Sequence, residues 1–136
     1  MQRLHAAPTA LLLCLLPAAA AGQVGLLPDE IRALLVGNTI HGIGEESGEF
    51  FAIYYCPDGV ASGKAGTSEA AAQFWYEKGT WEITSETGYC LTWATWKRGV
   101  RRCMDMIPKG TGYEFRTKNG ALQSFVEVLP GNPDGL

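Results

Sequence analysis

The segment Gly79–Cys103 constrains the fold more than any other part of the chain, because it contains three of the four tryptophans, two cysteines and the densest group of basic residues. Within it, apolar and polar residues alternate: Trp81 and Ile83 are separated by Glu82 and followed by Thr84. An alternation with a period of two is typical of a β-strand with one buried face. The pattern resumes after a glycine-containing turn, so the segment is predicted to form antiparallel β-hairpins.

The rest of the chain also consists of short segments with strand character, joined by tight turns. The predicted strands outside the central segment are 39–43, 49–56, 60–65, 73–78, 113–117 and 122–129. Residues 27–38 are predicted to form a short amphipathic helix, with Pro28 at its start and Gly37 at its end. One helix and about eight antiparallel strands predict a mainly β fold, a meander that curls or closes into a small, lipocalin-like barrel. A sandwich of two sheets is the alternative.

The first residues have the regions of a secretory signal peptide: Arg3 supplies a positive charge, and an apolar run and small residues follow. The apolar run is shorter than the about 20 residues that a transmembrane segment needs. We therefore expect residues 1–21 to be removed, which leaves a single β-rich domain, 22–136, that is periplasmic or secreted. Because Cys14 lies in the apolar run, a lipoprotein anchor is the alternative, although Leu13 is too large for the position before a lipidated cysteine.

The composition of the exported chain argues against several classes of protein. The whole chain has a net charge of −3, which becomes about −4 without Arg3, and this mild acidity argues against nucleic acid as a partner. His41 is the only histidine left, and a lone histidine cannot form a zinc site of clustered His or Cys ligands. It is also the only base available to a serine or cysteine nucleophile. We therefore expect no catalytic residue, no metal and no cofactor, and predict that the protein is not an enzyme.

Three cysteines remain after export, and two of them are placed to form a disulfide. If Cys90 and Cys103 oppose each other in an antiparallel hairpin, their separation suits a disulfide. The same register places Leu91 opposite Arg102. A disulfide that closes so short a loop would stabilise the fold by about 3 kcal/mol. Cys56 is left over as a small apolar residue at a strand end, although three cysteines also allow other pairings or a reduced pair.

A basic cluster at the tip and return of this hairpin is the candidate binding surface. It consists of Trp96, Lys97, Arg98, Arg101 and Arg102. Tryptophan and arginine are frequent anchors of interfaces, but we favour the simpler interpretation of a solvated turn whose charges aid solubility. The hairpin register directs Arg102 at the apolar face. There it extends to the rim, anchors a ligand in a barrel mouth, or indicates a register that is off by one.

Two further groups of residues have a functional and a structural interpretation. His41 with Glu45, Glu46 and Glu49 could support acid–base chemistry or bind a metal, but the glutamates flank glycines, as in an exposed turn, and we favour that interpretation. Several aromatic residues could line a ligand cavity, but in so small a domain they are more often the core itself. These aromatic residues are Trp75, Trp81, Trp93, Tyr54, Tyr55 and Tyr89.

Several short landmarks follow one another in a recognisable order. They are Gly-Asn-Thr at 37–39, Pro-Asp-Gly at 57–59, Gly-Thr-Trp at 79–81, Cys90, Trp93, Cys103 and Gly-Asn-Pro at 131–133. In these landmarks the chain resembles an uncharacterised family of small exported bacterial proteins known only as a domain of unknown function. The resemblance covers most of the mature chain. It implies a secreted β-rich domain with a disulfide between the two cysteines, and it implies no activity.

A second likeness is to small periplasmic inhibitors of lysozymes and proteases, which are also eight-stranded domains with a disulfide. Lysozyme inhibitors have a Ser-Gly loop followed by Phe-Trp, and Ser-Gly at 62–63 with Phe-Trp at 74–75 partly matches this pattern. An enzyme would need a converging acid and base, which the residues of this chain barely provide, so two other functions are favoured. The chain is a non-catalytic binding module for a small molecule or an envelope partner, or it is an inhibitor that inserts an exposed loop, 61–66 or 95–98, into its target.

Overall fold

The structure, a computed structural model, describes residues 24–136; the predicted signal peptide, its cleavage site and Cys14 lie outside them. Each strand pairs antiparallel with the next, and the last pairs with the first, which closes an eight-stranded barrel. The strands are β1 (Thr39–Gly44), β2 (Phe50–Tyr55), β3 (Val60–Gly66), β4 (Trp75–Thr84), β5 (Gly88–Trp93), β6 (Arg102–Lys109), β7 (Gly112–Thr117) and β8 (Leu122–Leu129). The predicted mainly β fold is confirmed, as a closed barrel rather than a sandwich.

The helix α1 (Pro28–Leu35) is shorter than predicted. Its start agrees with the prediction: proline occupies the first turn, and the Glu30 carboxylate accepts a hydrogen bond from the backbone N–H of Leu27 at 2.8 Å. It ends earlier because Gly37, with φ 71°, turns the chain towards the barrel. There the Gly37 N–H donates to the carbonyl of Tyr55 at 2.8 Å instead of continuing the helix.

Helix α1 packs at one end of the barrel, which we call the base. Ile31 and Leu35 are buried in the core, and the Arg32 guanidinium donates a hydrogen bond to the carbonyl of Ile83, near the end of β4, at 2.8 Å. The opposite end, which we call the mouth, is formed by the β1–β2, β3–β4, β5–β6 and β7–β8 connections. Within residues 24–136, no helix is long and apolar enough to cross a membrane.

The central register predicted from the sequence is confirmed. Cys90 pairs with Cys103 and Leu91 pairs with Arg102 across β5 and β6, and a disulfide joins the two cysteines. Cys56 has a free, half-buried thiol, so the other pairings of these three cysteines do not occur. Because neighbouring residues on a strand point to opposite faces, this register directs Arg102 into the barrel and the disulfide away from it.

Two segments differ from their predicted role. The segment 61–66, considered above as an insertion loop, is the body of β3, and its first residues are buried. The segment 73–78 is not a separate strand, because β4 continues through Gly79. A Cβ on Gly79 would lie 2.4 Å from the carbonyl oxygen of Thr92 and 3.0 Å from a ring carbon of Trp93. Gly79 therefore permits close packing of β4 on β5 rather than a turn.

Candidate functional site

The barrel contains a cavity of about 970 Å³ that opens at the mouth. Its deep wall is apolar and comes from inward-facing residues of five strands, Ile40, Ile53, Tyr89, Leu91, Met104 and Phe115. An eight-stranded barrel is just wide enough to be filled by its own side chains or to hold one small ligand. The volume lies at the upper end of the range for small-molecule sites, about 300–1,000 Å³. This cavity is the candidate functional site.

Tyr89, which lines the cavity, forms a neutral polar pair with Tyr55, which belongs to the core and does not line the cavity. The hydroxyl oxygens of Tyr55 and Tyr89 are 2.7 Å apart, and both side chains are fully buried. Burial is the largest effect on these groups and raises the pKa of both hydroxyls. Neither tyrosine therefore ionises near neutral pH, and one hydroxyl donates a hydrogen bond to the other. The pair serves the packing of the barrel and leaves the deep cavity without charge.

The absence of a side chain at Gly63 lets two tryptophans lie against the barrel wall. A Cβ on Gly63 would lie 2.5 Å from the ring of Trp93 and 3.0 Å from the ring of Trp96. The two indoles are in edge-to-face contact, with ring centroids 4.9 Å apart, a geometry that aromatic pairs favour. A larger residue at Gly63 would push both rings into the cavity. The sequence gives no sign of this contact, because Gly63 is distant from both tryptophans in the chain.

Trp96 reaches the cavity through an unusual turn, Trp96–Gly99. Lys97 and Arg98 have φ of 53° and 59°, and Gly99 follows with φ 64°. The left-handed region is uncommon for residues with a Cβ. Trp96 is half-buried, and it forms part of the cavity wall rather than an exposed anchor on a solvated turn. Only Lys97 and Arg98 of this turn fit the predicted solvated tip, since both are exposed.

Glu77 on β4 holds the start of this turn in place. Its carboxylate accepts hydrogen bonds from the backbone N–H of Trp96, at 2.7 Å, and from the hydroxyl of Thr95. Desolvation alone would raise the pKa of Glu77, but these two hydrogen bonds outweigh it and lower the pKa. Glu77 is therefore ionised at neutral pH and acts as a fixed acceptor. Sequence reasoning missed Glu77, because its partners follow 18 and 19 residues later.

Arg102 lines the cavity near the mouth and is half-buried. This is the barrel-mouth placement that the predicted register allowed. Its Nη2 donates a hydrogen bond to the side-chain oxygen of Gln123. Burial, the largest effect, raises the pKa of Tyr89, whereas the positive charge of Arg102 lowers it. The field of Arg102 therefore reaches into the cavity.

Gln123 is brought to Arg102 by an irregularity in β8. On the two sides of it, Phe115 pairs with Ser124 and Arg116 pairs with Leu122, so Gln123 is an extra residue without a partner in the ladder. Such a β-bulge redirects side chains at the rim of a barrel. Nothing in the sequence marks the bulge, and Gln123 was not among the predicted site residues.

The predicted basic cluster does not form one surface. Three of its five residues line the cavity: Trp96, Lys97 and Arg102. Arg98 is exposed on the turn and does not line the cavity. Arg101 points outwards, and its Nη2 lies 2.5 Å from the Glu82 carboxylate. The cluster divides because consecutive residues of a strand point to opposite sides, which places Arg101 and Arg102 on different faces.

The aromatic residues also divide between two roles. Trp81 and Tyr55 belong to the buried core, as predicted, and Tyr54 is half-buried outside the cavity lining. Trp93 and Tyr89 are also buried in the core, as predicted, and in addition they line the cavity. The prediction of a core role is wrong for Trp75, which lines the cavity but is not buried. Trp75 is 55% exposed and stands at the mouth. The sequence could not separate the two roles, because both place an aromatic residue on the inner face of a strand.

His41 and the three neighbouring glutamates do not come together. Nε2 of His41 lies 2.6 Å from an oxygen of Asp134, and Nζ of Lys64 lies 2.8 Å from the other oxygen. The glutamates at 45, 46 and 49 are exposed around the mouth. Across residues 24–136, no group of three or more His, Cys, Asp and Glu side chains is placed to hold a metal ion. The arrangement at His41 ties the C-terminal segment to the outside of the barrel.

The described site is thus an open apolar cavity with tryptophans and a half-buried guanidinium near its mouth. It is suited to hold a molecule, and the hydroxyl of Tyr89 in its wall is already hydrogen-bonded to that of Tyr55. Compared with known proteins, the chain matches no protein-family model, no curated protein and no solved structure. The geometry of the cavity therefore carries the functional argument.

Proposed function

We propose that this protein is an exported, non-catalytic binding protein that holds one small, largely apolar molecule in the barrel cavity. The observation that carries the proposal is the cavity of about 970 Å³, open at the mouth. A barrel of this size that had no ligand to hold could fill its interior with side chains. A concave apolar wall with few polar groups is also the usual composition of a small-molecule site.

The hydrophobic effect supplies enough free energy for such binding. Each methylene group that leaves water for an apolar site contributes about 0.8 kcal/mol. An apolar body of about ten carbons would therefore contribute roughly 8 kcal/mol before the costs of immobilisation, which suits micromolar dissociation constants or weaker. The tryptophans at the mouth would add contact area where the ligand leaves the cavity.

Export to the periplasm or the cell exterior belongs to the same proposal. The predicted signal peptide at 1–21 is its basis in the sequence. The Cys90–Cys103 disulfide supports it, because disulfides persist in oxidising compartments and are rare in the cytosol. A protein that binds a small molecule there would act on the molecule's transport, storage or sensing rather than on its chemistry.

Inhibition of an envelope enzyme is the second candidate function, and one observation favours it. Lys97 and Arg98 are exposed at the mouth on a turn with left-handed backbone conformations. Backbone strain of this kind is concentrated at functional sites. An inhibitor would present this turn, residues 95–98, to the active site of its target. This function would leave the cavity without a role, so we rank it below small-molecule binding.

A neutral fluorescent probe, N-phenyl-1-naphthylamine, tests the main proposal. We expect one probe molecule to bind per protein chain, with stronger and blue-shifted emission, because the probe moves into an apolar site. Ala65→Phe adds a ring to the cavity wall, opposite Trp75 on the neighbouring strand. It should weaken probe binding about tenfold or more, since the added ring competes for the same space.

Ala72→Phe is the matched control, because Ala72 is exposed and does not line the cavity. It should leave the probe affinity unchanged. Absence of probe binding to the wild type would contradict the proposal. So would equal affinity of the wild type and Ala65→Phe, which would place the bound probe somewhere other than in the barrel.

A further inference from the structure

We infer that the ligand is an amphiphile with a single anionic group, which the Arg102 guanidinium binds near the mouth while the apolar body fills the cavity. This inference rests on the proposed function, since it names the chemical class of the molecule that the cavity holds. Arg102 is then the residue that makes the cavity selective for a negatively charged ligand.

The first observation is that Arg102 has no carboxylate partner among residues 24–136 although it is half-buried. Its one protein partner by hydrogen bonding among residues 24–136 is the neutral side chain of Gln123. Four basic side chains of the barrel strands and turns have carboxylate partners on the outer surface. These pairs are Lys64–Asp134, Arg101–Glu82, Arg116–Glu114 and Lys118–Asp105, with N–O distances of 2.5–2.8 Å. Among residues 24–136, Lys78, Lys97, Arg98 and Lys109 have no carboxylate partner either, but all four are exposed to water, whereas Arg102 is half-buried.

A guanidinium in this position favours an anionic ligand on physical grounds. A partly desolvated charge is unfavourable unless it is paired, and the cost is relieved when an anion replaces the lost water. Arginine has five N–H donors in a planar fork, and Gln123 accepts from Nη2 alone. The remaining donors are available to the oxygens of a carboxylate or a similar group, with which arginine forms charge-assisted hydrogen bonds.

The residues around Arg102 define how the ligand lies. Lys97 also lines the mouth, but it is exposed, so its positive charge contributes less than that of Arg102. Towards the base, the lining is apolar, with Leu91, Met104 and Phe115 each less than a tenth exposed. Charge is therefore accommodated at the mouth and excluded from the depth. An amphiphile would enter with its apolar end first and leave its anionic group beside Arg102.

Three glutamates at 45, 46 and 49 also border the mouth, and they would favour the opposite charge. All three are exposed on the β1–β2 turn. Charges that remain in water are screened by solvent and salt and contribute little to binding. Arg102 is partly removed from water, so its interaction with a bound charge is stronger. We therefore assign the selectivity to Arg102 and use a cationic amphiphile as the competing case.

Isothermal titration calorimetry with three ligands of equal chain length tests the inference. The ligands are decanoate, 1-decanol and decyltrimethylammonium, each below the concentration at which it aggregates. The wild type should bind decanoate about tenfold or more tightly than 1-decanol, the usual scale for a hydrogen-bonded charge, and decyltrimethylammonium most weakly. Arg102→Met keeps an unbranched side chain in place of the aliphatic part of arginine but removes the guanidinium and its charge. It should lose the preference for decanoate while its affinity for 1-decanol stays within about twofold.

Arg101→Met is the matched control, because it makes the same substitution on the outer face and should leave all three affinities unchanged. Arg102→Lys keeps the charge and should retain a preference for decanoate over 1-decanol. Unchanged binding of 1-decanol shows that Arg102→Met is folded. If Arg102→Met does not bind 1-decanol, Arg102→Gln replaces it as the test variant. An Arg102→Gln protein that binds 1-decanol but no longer prefers decanoate supports the inference. One that still prefers decanoate overturns it.

The outcomes separate this inference from the proposed function. Equal binding of decanoate and 1-decanol by the wild type would overturn the inference and leave the apolar binding site in place. Tightest binding of decyltrimethylammonium would overturn it in favour of the glutamates. If the wild type bound none of the three ligands, the proposed function itself would fall.

Discussion

Lys97 and Arg98 keep their backbones in the left-handed region, with φ of 53° and 59°. For a residue with a Cβ, this conformation costs roughly 1–2 kcal/mol. Arg98 does not line the cavity, so its backbone can be relaxed without removing a wall residue. We expect Arg98→Gly to raise the free energy of unfolding by about 1 kcal/mol in urea denaturation, because glycine adopts positive φ without steric cost.

Arg98→Ala distinguishes the effect of the backbone conformation on stability from the effect of the side-chain charge. It removes the same guanidinium but keeps a Cβ, so its stability should stay within about 0.5 kcal/mol of the wild type. If alanine and glycine stabilised the protein equally, loss of the charge rather than relief of the backbone would be the cause. The conformation of Lys97 and Arg98 could not be predicted from the sequence, because it opposes the preference of both residues and is imposed by their surroundings.

At the scale of the elements, the sequence predicts those features of the strands that depend on the alternation of apolar and polar residues. A period of two determines which residues share a face, so the Cys90–Cys103 register and the inward direction of Arg102 follow from the pattern. The bulge at Gln123 breaks that period without a sequence mark. The open cavity was also beyond prediction, because its volume is the small difference between the space inside the barrel and the side chains that enter it.

Gly79 explains why the sequence pattern predicts two segments where the structure has the single strand β4. Glycine in a strand pattern indicates either a turn or a close approach of another backbone, and here it is the second. Because a Cβ would lie 2.4 Å from the carbonyl oxygen of Thr92, Gly79→Ala forces β4 and β5 apart. We expect it to lower the free energy of unfolding by about 1–3 kcal/mol, as overpacked substitutions do, measured by urea denaturation.

Gly25→Ala is the control for this prediction. A Cβ on Gly25 would have its nearest contact at 3.6 Å, an ordinary van der Waals distance, and Gly25 does not require positive φ. Its substitution should change stability by no more than about 0.5 kcal/mol. A variant Gly79→Ala that is as stable as Gly25→Ala would mean that the two strands are not as closely spaced as described.

At the scale of the whole molecule, the C-terminal segment lies against the outside of the barrel. The hydroxyl of Thr39 donates a hydrogen bond to the carbonyl of Gly131 at 2.7 Å. Three residues later, Asp134 accepts from His41 on β1 and from Lys64 on β3. These contacts join the segment to two strands that do not pair with each other. The segment is therefore expected to contribute to the stability of the barrel as a unit.

The charge of Asp134 makes this contribution dependent on pH. Desolvation would raise the pKa of its carboxyl, but the hydrogen bonds from His41 and Lys64 outweigh that effect and hold the pKa below its ordinary value of 3.8. A carboxyl whose pKa is lowered by folding stabilises the folded state at every pH above its ordinary value. That stabilisation is lost as the pH falls through the folded-state pKa, where the carboxyl takes up a proton.

Asp134→Asn should therefore lower the free energy of unfolding by about 1–3 kcal/mol at pH 7, the range for a hydrogen-bonded charge that loses its partner. The difference from the wild type should narrow as the pH falls below 3.8, and urea denaturation over a pH series measures it. Asp105→Asn is the control, because Asp105 and its partner Lys118 are 44% and 48% exposed, and an exposed pair contributes at most about 1 kcal/mol. A loss in Asp134→Asn that is equally large at pH 7 and under acid conditions would show that the shape of residue 134, and not its charge, joins the segment to the barrel.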